Sequence, residues 1–152
     1  MHPLEGLAGQ IAWAGKNISY NLGFIPEDKL AWKPAPTAKN ALEITAEVEG
    51  VADGMRAVIN GGEWPASPPA PATTLKEAQE RIERATETYA AMLRGLDTSR
   101  FGETVKLPFM EMPFPRAVSL PIIEALHHHG QIAYIQTLLG DTDSHFYEMA
   151  NQ

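Results

Sequence analysis

The chain has 152 residues, no cysteine and a formal net charge of -7, which suits a single domain over residues 1–152 with a core of its own. The absence of cysteine excludes a disulfide framework, a thiolate metal site and a cysteine nucleophile. Scattered Lys and Arg residues argue against nucleic-acid binding, and neither a signal-peptide pattern nor an apolar run of about 20 residues is present, so we expect a soluble, cytoplasmic protein with no membrane partner.

Four segments with helical periodicity are separated by stretches rich in proline and glycine. The first runs from Leu4 to Leu22, and apolar residues recur along it at steps of three and four. The second begins after Thr37, which is the predicted N-cap, and runs to Gly61. Residues 63–73 hold four prolines and are typical of a surface linker, because neither half of the chain could bury a core alone.

The third segment begins with Thr74 and Glu77, which have the spacing of a capping box. Apolar residues keep a heptad seam from Leu75 to Leu96. Residues 97–118 contain three prolines, so we predict an extended loop that lies over one end of the helices.

The fourth segment is predicted to begin at Ser119, with Pro121 in its first turn, and to run to Gly140. It is apolar nearly all round, which predicts the most buried helix. The four segments together predict an all-α fold, an antiparallel four-helix bundle with a long proline-rich loop before the last helix.

A stripe on the fourth helix opens with three polar side chains, Glu124, His128 and Gln131. Burial of such groups costs roughly 1–3 kcal/mol each unless they find partners or a metal. The spacing of four residues lets Glu124 and His128 point at one ion. Glu47, on the flank of the second helix's apolar stripe, is the candidate for a third ligand. Three protein ligands and one open position are typical of a catalytic metal site.

The runs LAWKPAPTAKNALEITAEVEG and EALHHHGQIAYIQTLLG resemble the DinB/YfiT-like superfamily of four-helix bundles, and the resemblance extends from the first helix to about Gly140. In that family one histidine of the second helix and an HxxxH pair of the fourth hold a divalent metal. The matching residues here are Glu47, Glu124 and His128, and His129 stands where an arginine is usual. The resemblance implies a metal pocket, a small-molecule substrate and a homodimer. Related proteins carry out thiol S-transfer or isomerisation with low-molecular-weight thiols.

The ligand set predicted here differs from three histidines in charge and hardness. Two glutamates and one histidine bring a divalent ion near neutrality, and oxygen ligands shift the preference from zinc toward manganese, iron or magnesium. The imidazole still suits zinc or nickel. We therefore expect a divalent metal ion (Zn, Ni, Mn or Fe) and a metal-dependent transferase or hydrolase.

Other interpretations of these residues remain open. Glu124 and His128 could form an ion pair without metal, and Glu47 or Glu124 could act as a metal-free general base. A non-catalytic bundle with a degenerate metal site could serve ligand binding or dimer assembly.

Four neighbouring residues are candidates for the surroundings of the pocket. His127 and His129 lie about 100° to either side of His128, so we expect one in a helix interface and the other at solvent. Gln131 is a candidate to hold a ligand in place, or a core amide. Trp13 is a packing residue or lines the pocket.

Overall fold

The computed structural model describes residues 2–147 as four α-helices and a small sheet. The helices are α1 (Glu5–Leu22), α2 (Ala41–Ile59), α3 (Leu75–Arg94) and α4 (Phe114–Leu138). Short 3-10 turns lie at Glu27–Lys29 and Thr98–Gly102. Strands β1 (Thr104–Leu107) and β2 (Met110–Pro113) pair in antiparallel register, with Thr104 opposite Pro113, and join α3 to α4.

The four helices share one hydrophobic core, in which α1 and α2 each contact both α3 and α4. Helices α1 and α3 pack closely at Gly15, where an added Cβ would clash with the Thr86 hydroxyl oxygen. A glycine is therefore required there for the two helices to pack at this distance. No helix within residues 2–147 has both the length and the apolar character that a membrane span requires.

The start of α2 lies later than the sequence predicts. Thr37 is not the N-cap; the Asn40 side chain accepts a hydrogen bond from the Glu43 backbone N–H at 2.8 Å. The Glu43 carboxylate accepts in return from the Asn40 N–H at 2.9 Å, which completes a capping box. The helix ends before Gly61, whose φ of 86° suits glycine.

One of the two hydrogen bonds of the capping box predicted for α3 is confirmed. Thr74 Oγ1 accepts from the Glu77 N–H at 3.1 Å, as predicted. The Glu77 carboxylate, however, accepts from the backbone N–H of Thr73 at 2.8 Å and not from Thr74. This bond ties the preceding proline-rich segment to the first turn of α3.

The prediction of an extended loop over residues 97–118 was wrong, as was the start of the fourth helix at Ser119. The segment folds into the hairpin of β1 and β2, and α4 begins five residues earlier, at Phe114. Pro115 is the second residue of the helix, where no N–H partner is needed. Pro121 lies inside the helix and not in its first turn.

Helix α4 is also less enclosed than its apolar sequence predicts. Several of its large apolar side chains are between 44% and 64% exposed: Ile123, Leu126, Tyr134 and Leu138. The apolar residues of α4 thus divide between the core and a solvent-facing side.

A buried carboxylate links α2 to α3. The Glu49 side chain is 7% exposed and receives hydrogen bonds from Arg81 at 2.9 Å and from Arg84 at 2.7 Å. The spacing of four residues also predicts pairs of Glu77 with Arg81 and of Glu80 with Arg84 within α3. Only Arg81 keeps such a pair, with Glu77 at 3.3 Å.

Candidate functional site

A cavity of about 890 Å³ opens between α2, α4, the proline-rich segment and the turn of the hairpin. Its polar lining lies on the two helices, and its apolar lining comes largely from residues 64–69. The residues that line it are Glu47, Gly50, Val51, Asp53, Trp64, Pro65, Ala66, Ser67, Pro68, Pro69, Pro108, Ile123, Glu124, His127 and His128.

His128 is the residue around which the polar side of this cavity is built. Its side chain is 8% exposed, and its Nε2 atom lies 3.5 Å from Oε2 of Glu47 and 3.4 Å from Oε2 of Glu124. Each glutamate is about one-third exposed. The fold therefore brings together the three candidate ligands from α2 and α4.

The other ring nitrogen of His128 is held by Gln131. His128 Nδ1 lies 2.7 Å from Gln131 Oε1, and because a carbonyl oxygen only accepts, Nδ1 is the donor. The Gln131 amide nitrogen lies 3.2 Å from His127 Nε2 and donates to it. In a neutral His128 this tautomer leaves the Nε2 lone pair directed at two carboxylates. Two carboxylate oxygens then lie near one imidazole lone pair.

The spacing of these donors can be compared with two kinds of contact. The distances of 3.4 and 3.5 Å exceed the range of about 2.7–3.2 Å for a direct N–H···O bond. They are close to the separation of about 3.4 Å expected for two ligands about 2.1 Å from one ion at a tetrahedral angle. Among residues 2–147, however, no group of three or more His, Asp or Glu side chains is arranged so that it could hold a metal ion as it stands.

Glu47 is positioned by the first turns of α2. The Lys39 ammonium donates to Oε1 of Glu47, while Oε2 is the atom nearest His128. One turn earlier, Glu43 accepts from Lys33 at 2.8 Å as well as from the Asn40 N–H. The Lys33 hydrogen bond and then the Asn40 bond hold the pKa of Glu43 below its usual value.

The cavity is acidic even after these ion pairs are counted. Asp53 is paired with Arg56 at 3.3 Å, and Glu47 is paired with Lys39. Within the described part of the chain, Glu124 has no lysine or arginine at ion-pair distance and faces only His128. The Glu124 carboxylate is therefore the acid of this lining that has no lysine or arginine partner among the described residues.

The remaining predicted residues are divided between the two sides of α4. His127 is exposed and lines the cavity, whereas His129 is buried against α1 and donates from Nε2 to Oδ1 of Asn21. Burial lowers the pKa of His129. Trp13 contacts the His129 ring edge-on at 6.3 Å and stacks with Phe146, so it lies apart from the cavity lining.

Sequence reasoning missed the apolar wall of the cavity and one of its acids, Asp53. Residues 63–73, which include Trp64, were interpreted as a surface linker. One signal was available, because Gly50 and Gly54 lie four residues apart on α2 and indicate a close approach of another segment. Their spacing does not say which segment approaches.

Comparisons with known proteins agree on the family. Residues 10–132 match the DinB superfamily. No curated protein matches the chain. The fold is similar to that of a DinB-like protein from Bacillus subtilis, with a TM-score of 0.74 and 18% identity over 93% of this chain and 97% of that one. A DinB-like protein from Bacillus cereus ATCC 10987 gives a TM-score of 0.72 and 15% identity over 97% of this chain and 100% of that one. At these identities the two structures support the fold alone, and the match over residues 10–132 carries the conclusion that the chain belongs to the DinB superfamily.

Proposed function

We propose that the cavity binds a divalent metal ion through Glu47, Glu124 and His128, and that the chain is a metal-dependent transferase or hydrolase of a small molecule. The observation that carries this proposal is the approach of Glu47 Oε2 and Glu124 Oε2 to His128 Nε2, at 3.5 and 3.4 Å. Two carboxylate oxygens and an imidazole lone pair repel one another at this distance, and a cation or a proton between them removes the repulsion.

The donor set also supports a cation of a particular kind. Two carboxylates and an imidazole suit manganese or iron, and the imidazole accommodates zinc or nickel. A bound ion would polarise a substrate that enters from the open side of the cavity. Gln131 would keep His128 in the tautomer that presents Nε2 to the ion.

Elemental analysis tests the metal proposal. We expect about one metal ion per chain in the purified protein and none in the Glu124→Ala/His128→Ala double variant. Asp53→Ala is the matched control, because Asp53 lines the same cavity but is paired with Arg56. The control should keep its metal.

Absence of metal from the parent, even after reconstitution with manganese, zinc and nickel, would contradict the proposal. A proton on His128 would then bridge the two carboxylates, and the cavity would serve a non-catalytic ligand. Catalysis that persists in chelator would instead favour Glu47 or Glu124 as a metal-free general base.

We also propose that the chain forms a homodimer through the exposed side of α4. From Ser119 to Leu138 the side chains classed as exposed include no acid, lysine or arginine, and Glu124 is turned toward the cavity. A two-fold dimer places one face against itself, so an uncharged face pairs without like-charge repulsion. The four exposed apolar side chains of α4 supply the contact area.

A further inference from the structure

One wall of the cavity is made mostly of rings. Trp64 and three prolines, Pro65, Pro68 and Pro69, line it together with Ala66 and Ser67. Proline carries no N–H, so this wall offers few hydrogen-bond donors and presents mostly flat, apolar surface. The cavity thus combines a polar part at Glu47, Glu124 and His128 with an apolar part at residues 64–69.

Two glycines of α2 bring this wall close to the helix backbone. A Cβ added to Gly54 would lie 3.1 Å from the Cε2, Cζ2 and Cη2 atoms of the Trp64 indole. A Cβ added to Gly50 would lie 2.8 Å from Cδ of Pro69. Any larger residue at these positions would push the wall away from α2.

The wall is fixed at its other end by charged side chains of α3. Arg81 donates to the backbone carbonyl of Ala70 at 2.8 Å, and Glu77 accepts from the Thr73 N–H at 2.8 Å. The ring of Phe109, at the tip of the hairpin, meets Trp64 edge-on, with the centroids 5.4 Å apart. Trp64 is therefore held in one orientation before any ligand arrives.

From this arrangement, and resting on the proposed function, we infer that Trp64 and the adjacent prolines form a subsite for an aromatic ring. The ligand class is a small molecule with an aryl group at one end and an oxygen-rich, metal-binding group at the other. Trp64 is the specificity-determining residue, because its indole offers a flat ring surface and the polar cluster in the same cavity would hold the other end of the ligand.

A pair of probes with the same metal-binding head tests the subsite. Benzohydroxamic acid and acetohydroxamic acid differ only in the group that would reach Trp64, and calorimetry on the manganese-loaded protein gives both affinities. We expect the aryl probe to bind about tenfold more tightly, a preference typical of one added ring contact. Trp64→Ala should reduce the ratio to about twofold, whereas Trp64→Phe should keep most of it.

A second variant tests the packing of the Trp64 indole against α2 without removing the indole. Gly54→Val should displace the indole and lower the aryl preference as Trp64→Ala does, with the affinity for acetohydroxamic acid unchanged. Metal content and circular dichroism of each variant separate this effect from unfolding. An equal probe ratio in the parent and in Trp64→Ala would overturn the inference while leaving the metal proposal intact.

A second comparison of ligands uses the metal-free protein, so its result does not depend on metal binding. Benzylamine and methylamine carry an ammonium group that can pair with Glu124, and NMR titration compares their affinities. A Trp64-dependent preference for benzylamine in a protein that loads no metal would sustain the aromatic subsite and refute the metal proposal. Lack of any such preference in both the loaded and the metal-free protein would refute the subsite.

Discussion

Gln131 is a single residue on which the orientation of His128 depends. Its carbonyl oxygen accepts from His128 Nδ1, and its amide donates to His127. Outer partners of this kind are commonly worth 10- to 100-fold in metal affinity, in order of magnitude. The sequence makes the same residue a candidate to hold a ligand in place or a core amide, and the structure shows it bonded to the imidazole of His128.

Replacing Gln131 with methionine should therefore weaken metal binding about 10- to 100-fold with little change in the fold. The side chain keeps its approximate length but can no longer hold His128 Nδ1. Calorimetric titration with manganese measures the change. His127→Ala, which leaves the bond from Gln131 to His128 in place, is the control, and equal affinities in the parent and in Gln131→Met would contradict the assignment.

Gly15 is a single residue on which the distance between α1 and α3 depends. Gly15→Ala places a Cβ into Thr86, so we expect a loss of about 1–3 kcal/mol in the free energy of unfolding. Gly9→Ala on the same helix is the matched control, because nothing lies within 4 Å of its added Cβ. The control should be neutral or stabilising by up to about 1 kcal/mol. Urea denaturation distinguishes the two, and similar losses would refute the packing argument.

At the scale of the elements, local sequence signals located the helices better than they located the connections. The apolar steps of α1 and the cap of α3 at Thr74 were confirmed, because both depend on neighbours within one turn. The β-hairpin was not predicted because its strands are only four residues long. The start of α4 was placed too late because Pro115, its second residue, was read as part of a loop. The antiparallel order of the helices stays a prediction.

The capping box of α2 gives the stability of this helix a dependence on pH. The pKa of Glu43 lies below its usual value of 4.5, first because of the hydrogen bond from Lys33 and then because of the hydrogen bond from the Asn40 N–H. Ionised Glu43 therefore stabilises the folded state above pH 4.5, and this contribution is lost as the pH falls through the lower folded-state pKa.

Glu43→Gln should consequently reduce the amount by which the free energy of unfolding falls at acid pH. Urea unfolding at pH values on both sides of 4.5 should show a larger loss for the parent than for the variant. Parallel curves for the two proteins would mean that the Glu43 carboxylate does not stabilise the start of α2.

At the scale of the whole molecule, the site depends on contacts between segments that are far apart in the sequence, and residue spacing does not predict such contacts. The spacing of Glu124 and His128 predicts that they share one side of α4, and the family resemblance added Glu47. The approach of α2 to α4 sets the distance of Glu47 Oε2 from His128. The wall at Trp64 could not be predicted, because a proline-rich segment has no periodicity that identifies its packing partner.

The exposed side of α4 predicts self-association. Tyr134→Glu should shift the protein toward monomer, because it places like charges opposite each other across the proposed two-fold contact. Sedimentation equilibrium measures the change. Glu87→Lys, on the exposed side of α3, is the control and should leave the association state unchanged. A parent that is monomeric at all concentrations would refute the proposed dimer.

The proposed binding of a metal ion at His128 is open to direct observation. Anomalous diffraction from crystals grown with manganese or zinc should show one strong peak about 2.1 Å from His128 Nε2 and from a carboxylate oxygen of Glu47 and of Glu124. A cavity without such a peak, in which His128 Nε2 has moved within hydrogen-bond distance of a carboxylate, would show that a proton and not a metal joins these three side chains.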